Sequence, residues 1–295
     1  GSGALPVGAD LLHKLLPHAT IAISNPSWEN HRAVFGAAGF DVVDYTYFDA
    51  ATHGVDFDGM LADLGKLQPG TVVLLHACCH NPTGADLTVA QWKQVAELLK
   101  DRQLFPFIDM AYQGFDKGIS EDGAAVRIIA EAGIDSFVVA NSYSKSFSLY
   151  GERIGALSVV APDANAAKAV QSQVKRIIRT IYSSPSNHGA ALVAGVLNSV
   201  ELRQVWEAEL TEMRERIHAL RHGLVENLVA AGAPEYAFIN DQAGMFSYSG
   251  LSRAQVDRLR DEFAIYAVGT GRICVAALND RNLDYVADAI SKVAG

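Results

Sequence analysis

Three apolar runs in this sequence break off into polar clusters: "HACCHNPTG", "FIDMAYQGF" and "VVANSYSKSFSLYGERIG". The residues that could do chemistry are concentrated there. Lys145 follows a buried-looking run and is flanked by Ser142, Ser144 and Ser146. A lysine that is to act as a nucleophile or proton carrier needs a crowded, partly desolvated place, so that its amine can be neutral. The alternative is a solvated loop lysine. Asp109 ends the apolar run "LFPFID". An acid at such a position is seldom fully buried unless a cation pairs with it, and a protonated ring nitrogen is one such cation. A helix cap or a strand-end turn is the alternative. Asn81 lies in "HNPTG", a turn signal, where its amide could meet a phenolic oxygen or simply close the turn.

Arg153, Arg179 and Arg272 are the candidates for binding carboxylate or phosphate, because a guanidinium grips such groups with a bidentate fork. Each could equally be a surface ion-pair partner. Arg272, in "GTGRICVAAL", stands beside an apolar strand rather than on a polar face. At the start of the chain, Gly1-Ser2-Gly3 precedes an apolar-periodic run through Leu5, Val7, Leu11, Leu12, Leu15 and Leu16. Such a loop can lay backbone N–H groups at a helix N-terminus to hold phosphate. Gly/Ser triplets of this kind also arise as vector-derived scars.

The elements that must carry these residues alternate. Strands are expected at Thr20–Ser24, Val42–Tyr47, Thr71–Ala77, Phe105–Met110, Phe137–Asn141 and Gly155–Val160. Runs such as "TVVLLHA" are apolar at successive positions, the mark of strands buried on both faces. Helical patterns lie between them, including "LTVAQWKQVAELLKDRQ", where Thr88 and Gln91 form a capping-box signal. The alternation predicts an α/β fold with a mostly parallel central sheet between helices. Ligands in such sheets bind at the carboxyl ends of the strands, where the three clusters fall. Beyond Val160 the texture changes. Residues 164–180 and 187–230 read as long helices. "GMFSYSG" and "RICVAAL" read as strands around a helix capped by Ser252 with Gln255, and residues 282–293 as a last helix. This divides the chain into a large domain, residues 1–200, and a smaller C-terminal α+β domain, residues 201–295.

The chain has 295 residues and a formal charge of −9, enough for one large or two unequal domains. An acidic chain lacks the basic face that nucleic acid requires. No apolar run approaches the roughly 20 residues that span a bilayer. Three cysteines, Cys78, Cys79 and Cys274, make no disulfide framework, and no Cys/His spacing suits zinc, so no metal is expected. The expected setting is reduced and cytoplasmic.

Taken in order, "NPSWENH", "CCHNPTG", "IDMAYQGF" and "SYSKSFSLYGERIG" resemble the class I, fold type I aminotransferases of the aspartate/aromatic amino-acid group, essentially end to end. The resemblance implies roles position by position. Lys145 would form the Schiff base with pyridoxal 5′-phosphate, and Asp109 would pair with its ring nitrogen. Tyr112 and Asn81 would hydrogen-bond the ring oxygen. Trp28 would stack on the ring, with His31 and His76 behind it near Asp109. Gly1, Ser2, Ser142 and Arg153 would bind the phosphate. In that light the continuation "ALPVGADLL" makes Gly1-Ser2-Gly3 part of a phosphate loop. Trp28, Asn81, Phe246 and Arg272 would line the substrate site, Arg272 taking the α-carboxylate. Arg179 would reach into the neighbouring subunit of a homodimer, toward a side-chain carboxylate.

The implied reaction is ping-pong transamination between an amino acid and a 2-oxo acid such as 2-oxoglutarate. Lys145 would serve as base and then acid. Ser2 and Ser184, together with "HACCHNPTGADLT" and "FSLYGERIG", read like the bacterial tyrosine/aromatic enzymes, so an aromatic substrate that shares the site with dicarboxylates is expected. An aspartate aminotransferase is the alternative. The family normally carries a substantial segment ahead of the phosphate loop, so a polypeptide truly starting at Gly1 would be impaired.

Two rival readings are weaker. Ser142-Tyr143-Ser144-Lys145 fits S-x-x-K of serine β-lactamases, but neither S-D-N nor K-T-G occurs. A non-catalytic cofactor-binding regulator would carry a basic DNA-binding helix-turn-helix, and none is seen.

Overall fold

The computed structural model describes residues 3–295. Gly1 and Ser2, expected to belong to a phosphate loop, lie outside the described residues. From α1 (Ala4–Leu15) the chain runs through β1 (Thr20–Asn25), α2 (Glu29–Ala37), β2 (Asp41–Thr46), a small hairpin of β3 (Phe48–Asp49) and β4 (Gly54–Val55), α3 (Phe57–Leu64) and β5 (Val72–His76). It continues with α4 (Val89–Asp101), β6 (Phe105–Met110), α5 (Ile119–Asp122), α6 (Ala124–Glu131), β7 (Phe137–Ser142) and β8 (Gly155–Val160). The C-terminal part holds α7 (Ala164–Tyr182), α8 (His188–Asn198), α9 (Val200–Ala230), a 3-10 stretch (Pro234–Asp241), β9 (Phe246–Tyr248), α10 (Arg253–Phe263), β10 (Arg272–Cys274) and α11 (Leu283–Ala294).

Six strands form one sheet in the order β2-β1-β5-β6-β7-β8. All neighbours are parallel except β7 and β8, which pair antiparallel. The expected mostly parallel sheet is present. Successive residues of a strand face opposite sides, and both sides are covered. Val72 and Leu74 of β5 join Leu5, Leu12, Phe35 and Phe107 in one core. Val73 and Leu75 join Met60, Trp92, Leu99 and Ile129 in the other. That is why these strands are apolar throughout rather than alternating. A third core gathers residues from Leu210 onward and closes on Cys78, Cys79, Tyr112 and Phe115 from the sheet side.

The order of strands reverses between β1 and β5, which opens a crevice at their carboxyl ends. The carboxyl ends of β1, β5, β6 and β7 lie side by side there. They lead directly to Trp28, Asn81, Asp109 and Lys145.

The limits of the six sheet strands agree with the sequence reading to within a residue, whereas of "GMFSYSG" only Phe246–Tyr248 is strand. Two expectations need correction. The single helix read over 187–230 is two, because Ser199 leaves the helical region (φ −104°, ψ 125°) and its hydroxyl caps α9 at Leu202. Apolar periodicity runs through this break and hides it. "RICVAAL" holds only a three-residue strand and then tightens into a 3-10 turn at Val275–Ala277. The β3–β4 hairpin, α3, α5 and α6 were not read from sequence.

The capping box at Thr88 is formed, with its hydroxyl accepting from the Gln91 N–H and the Gln91 side chain accepting from Thr88 N–H. Thr88→Ala should lower stability by about 1 kcal/mol. A shift of the urea midpoint at unchanged slope would show it.

Candidate active site

Asp109 is the centre of the crevice. Its register neighbours are His76 on β5 and Ala140 on β7, so it sits mid-sheet and is only 6% exposed. Its Oδ2 accepts a hydrogen bond from His31 Nε2 at 2.9 Å. Its Oδ1 is buried and has no partner. Burial is the largest single influence and raises the carboxyl pKa, but the His31 hydrogen bond and the positive electrostatics around the group together outweigh it and hold the pKa at about 2. An ionised carboxylate with one open oxygen is costly unless a cationic donor arrives there.

Behind Asp109 stands a chain of imidazoles. The Asn81 backbone N–H donates to His76 Nδ1 at 3.2 Å, so that nitrogen must accept. His76 Nε2–H then donates to His31 Nδ1 at 3.3 Å, and His31 Nε2–H donates to Asp109. The Ser27 hydroxyl lies 3.0 Å from the same His31 nitrogen, whose single lone pair the two donors share. His76 stacks at 4.2 Å on His80, which stacks at 4.0 Å on Tyr47. His80 is bonded through its two nitrogens to Ser24 and Thr83. Burial, then the neighbouring His31, takes the His76 pKa down to about 3, and burial with the neighbouring imidazoles depresses that of His80 as well.

The crevice itself is a cleft of about 260 Å³. Lys145 is partly buried, with Nζ 4.5 Å from the centre of the Tyr112 ring. Burial lowers its pKa; the charge of Asp109 works against this and that of Arg153 works with it. Asn81 donates through Nδ2 to the Tyr112 hydroxyl at 3.3 Å and accepts through Oδ1 from Arg272 at 2.9 Å. Arg272 lies over the Phe246 ring at 4.7 Å. Burial raises the pKa of the Tyr112 phenol, which stays protonated. Trp28 lines the cleft and meets His31 edge-on at 5.1 Å.

Ser142, Ser144 and Arg153 line the same cleft as Leu5 in the first turn of α1. Arg153 takes a left-handed backbone (φ 56°) and donates to the Tyr150 carbonyl. A β-carbon at Gly3 would lie 3.4 Å from the Arg153 carbonyl, so the N-terminus of α1 opens beside this end of the cleft. A helix N-terminus, two serines and a guanidinium make an anion-binding end.

The structure thus brings together Lys145, Asp109, Tyr112, Asn81, Trp28, Ser142, Arg153, Phe246 and Arg272 around one cleft, with His31 behind it and His76 along its wall. Arg179 is not among them: it is exposed on α7, outside the cleft of its own chain. Sequence reasoning missed Leu5, Cys78, Ala111, Ser144 and Tyr150 as lining residues. It also missed the roles of His80, Tyr47 and Ser27 behind Asp109. Only the closeness of these residues to the named motifs could have flagged them.

Cys78, Cys79 and Asp122 approach one another closely. Asp122 already accepts from the N–H groups of Gly114, Asp116 and Lys117, and burial raises its pKa, which argues against a metal there.

A parallel sheet that presents a depressed lysine, a half-partnered carboxylate and an anion-binding helix end across one crevice is the frame of a fold type I, lysine-dependent enzyme of amine chemistry. The family comparison narrows this: residues 1–290 match the model of aminotransferase class I and II, and the chain belongs to that family. It is 58% identical to an aspartate aminotransferase of Pseudomonas aeruginosa, over 99% of this chain and 74% of that protein. It is 53% identical to an aromatic-amino-acid aminotransferase of Escherichia coli, again over 99% and 74%. The aromatic-amino-acid aminotransferase of Burkholderia pseudomallei, solved covalently bound to pyridoxal phosphate, superposes with a TM-score of 0.97 at 62% identity, covering 99% of this chain and 73% of that one.

The neutral histidines carry a pH signature. As pH falls below about 6.5 the unfolded chain protonates His76, whereas the folded chain resists until about 3. Stability should therefore fall with pH in that window, by up to about 1.4 kcal/mol per pH unit for this group. The depressed Asp109 acts lower down: its contribution is present above about 3.8 and lost as pH drops toward about 2. Urea unfolding at pH 7.5, 6 and 5 should show the decline, and His76→Gln should make it shallower. Equal slopes for the two proteins would mean that His76 protonates in place.

Proposed function

We propose that the chain is a pyridoxal 5′-phosphate-dependent aromatic-amino-acid aminotransferase that also takes dicarboxylates. One observation carries the reading: the buried Asp109 Oδ1, ionised and unpartnered, opens into the cleft that Lys145 enters. A pyridinium N–H fits that oxygen, a phosphate fits the Ser142–Arg153 end, and a phenolic oxygen fits the Asn81–Tyr112 pair. Bound there, the cofactor supplies an electron sink for the substrate Cα.

The residues of the chain do the rest. Asp109 keeps the ring nitrogen protonated, since its own pKa lies far below neutrality. Lys145 would hold the cofactor and, once the substrate amine had taken its place, would accept the proton from the substrate Cα and return it to the cofactor carbon that had carried the lysine. Its lowered pKa keeps more of its amine free to accept that proton. Arg272 and Asn81 hold the α-carboxylate. Trp28, Tyr112 and Phe246 give an aromatic side chain apolar walls and keep water away from the reacting atoms. The first half would release the 2-oxo acid of the substrate and leave its amino group on the enzyme, and the same steps in reverse would pass that group to a second 2-oxo acid such as 2-oxoglutarate.

Finer points belong to the same reading. Relatives of both aspartate and aromatic name match at similar identity, and the aromatic lining of the cleft favours the aromatic branch. A homodimer is supported by α7, a 19-residue helix with no buried residue that exposes Ile181 and Arg179, the latter assigned to the partner's substrate site. The boundary near residue 200 is supported by the separate core built from Leu210 onward. Three free cysteines favour a reducing, cytoplasmic setting, and membership of the aminotransferase family favours a role in amino-acid metabolism. No helix among the described residues is long and apolar enough to cross a membrane.

Steady-state kinetics with tyrosine, phenylalanine and aspartate test the substrate. The aromatics are expected to match or exceed aspartate in kcat/KM, and an aspartate value far above both would assign the other branch. Lys145→Ala should lose turnover by several orders of magnitude while retaining bound cofactor, read from its absorbance. Surviving turnover would overturn the role of Lys145.

A further inference from the structure

A buried arginine that the chemistry does not use lies between α9 and β9. Arg221 interrupts the apolar face that α9 forms with Ile217, Leu220, Leu224 and Val225, and is only 3% exposed. One terminal nitrogen donates to the Ile239 carbonyl at 3.3 Å. The other donates to the carbonyls of Gly244 and Phe246, the second at 3.1 Å. Its Nε has no partner. The guanidinium is thus held by neutral carbonyls, and burial brings its pKa down to about 10. A charge kept out of water on such terms is expensive, where Leu or Met would cost nothing in desolvation.

The three carbonyls share one segment, which runs from the 3-10 stretch into β9 and carries Phe246 to the cleft. That segment is irregular and closely seated. Gly244 is left-handed (φ 81°), and a β-carbon there would come within 2.4 Å of the Cys79 β-carbon. The Ala243 N–H donates to the Gly84 carbonyl at 2.7 Å, in the turn that carries Asn81. From Phe246 the order passes to Arg272 by two routes. β9 pairs with β10, setting Tyr248 opposite Arg272, and the Arg272 guanidinium rests on the Phe246 ring.

We propose that Arg221 is a positioning residue for the substrate wall of the cleft: by gripping the carbonyls of Ile239, Gly244 and Phe246 it fixes Phe246, and through it Arg272, against Asn81. The proposal rests on the aminotransferase reading of that cleft. A planar fork holds several carbonyls in set directions; an ammonium is a point charge on a flexible stem and holds them less firmly. The cofactor wall, built on the sheet by Asp109, Ser142 and Lys145, is not in contact with Arg221 and should be spared.

The test compares the holoenzyme with Arg221→Lys, Arg221→Met, Phe246→Ala and the Arg221→Lys/Phe246→Ala double variant. Readouts are KM and kcat for tyrosine, calorimetric Kd for 3-phenylpropionate, and the absorbance of the bound cofactor. Arg221→Lys should raise KM and Kd at least threefold, with kcat changed less than KM and the cofactor spectrum unaltered. Arg221→Met should do so more strongly if it folds. The double variant should fall clearly short of the product of the two single effects, because one of the two routes from Arg221 to Arg272 runs through the Phe246 ring. Smaller changes in Arg221→Lys, or effects that multiply fully in the double variant, would overturn the proposal. Hydrogen exchange at the Gly244–Phe246 amides gives a reading free of turnover, and should be faster in Arg221→Lys. If the unaltered enzyme transfers no amino group, the aminotransferase reading fails, and unchanged exchange would separately refute the positioning role.

Discussion

The site depends on one half-satisfied carboxylate. Asp109 is buried mid-sheet, ionised, and bonded through only one oxygen. Holding a charge there requires a donor that does not move, and His31 is that donor. It is itself oriented from behind by Ser27 and His76, and His76 by the backbone of Asn81. His76 is neutral in this series, because burial and its neighbour depress its pKa and its Nδ1 accepts from the Asn81 N–H. The open oxygen is then a fixed electrostatic feature of the cleft rather than a flexible side chain awaiting a partner.

The same series connects the two ends of the chemistry. Asn81 gives its N–H to the imidazoles behind Asp109 and its side chain to Tyr112 and Arg272 in front. A shift of the turn after β5 would therefore disturb both the carboxylate at Asp109 and the Arg272 guanidinium across the cleft. The turn is pinned accordingly. Asp86 accepts from the N–H groups of Cys79 and His80, and the segment before β9 docks on Gly84. The cleft thus has a wall grown from the ends of parallel strands and a wall delivered by the C-terminal part, meeting at Asn81.

Much of this was legible in the sequence, for identifiable reasons. Strands buried on both faces are apolar without alternation, so β1, β5, β6 and β7 stand out. Hydroxyl–x–x–amide spacing marks the starts of α4 and α10, and both boxes form. Polar residues that break off an apolar strand are conspicuous, which exposes Asp109, Asn81 and Lys145. Other features leave no such trace. Ser199 breaks a helix inside an uninterrupted apolar pattern, because one serine can cap as readily as it can continue. The β3–β4 hairpin has strands of two residues, too short for any period. His80 looks like any turn histidine, and Arg221 like any helix arginine, until their surroundings are known.

The sequence by itself determined the alternation of elements, the residues at the strand ends and the family they resemble, because these rest on local periodicity and on motifs a few residues long. Only the tertiary structure decided that Asp109 keeps one oxygen unpartnered, that two imidazoles, His76 and His31, link it by hydrogen bonds to the Asn81 backbone, and that Arg221 faces carbonyls instead of solvent. Burial and hydrogen-bond direction depend on groups far apart in the chain, as His31 is from Asp109 and Asn81 from Arg272. Local pattern carries no record of those distances, and the packing of the sheet and the C-terminal core sets them.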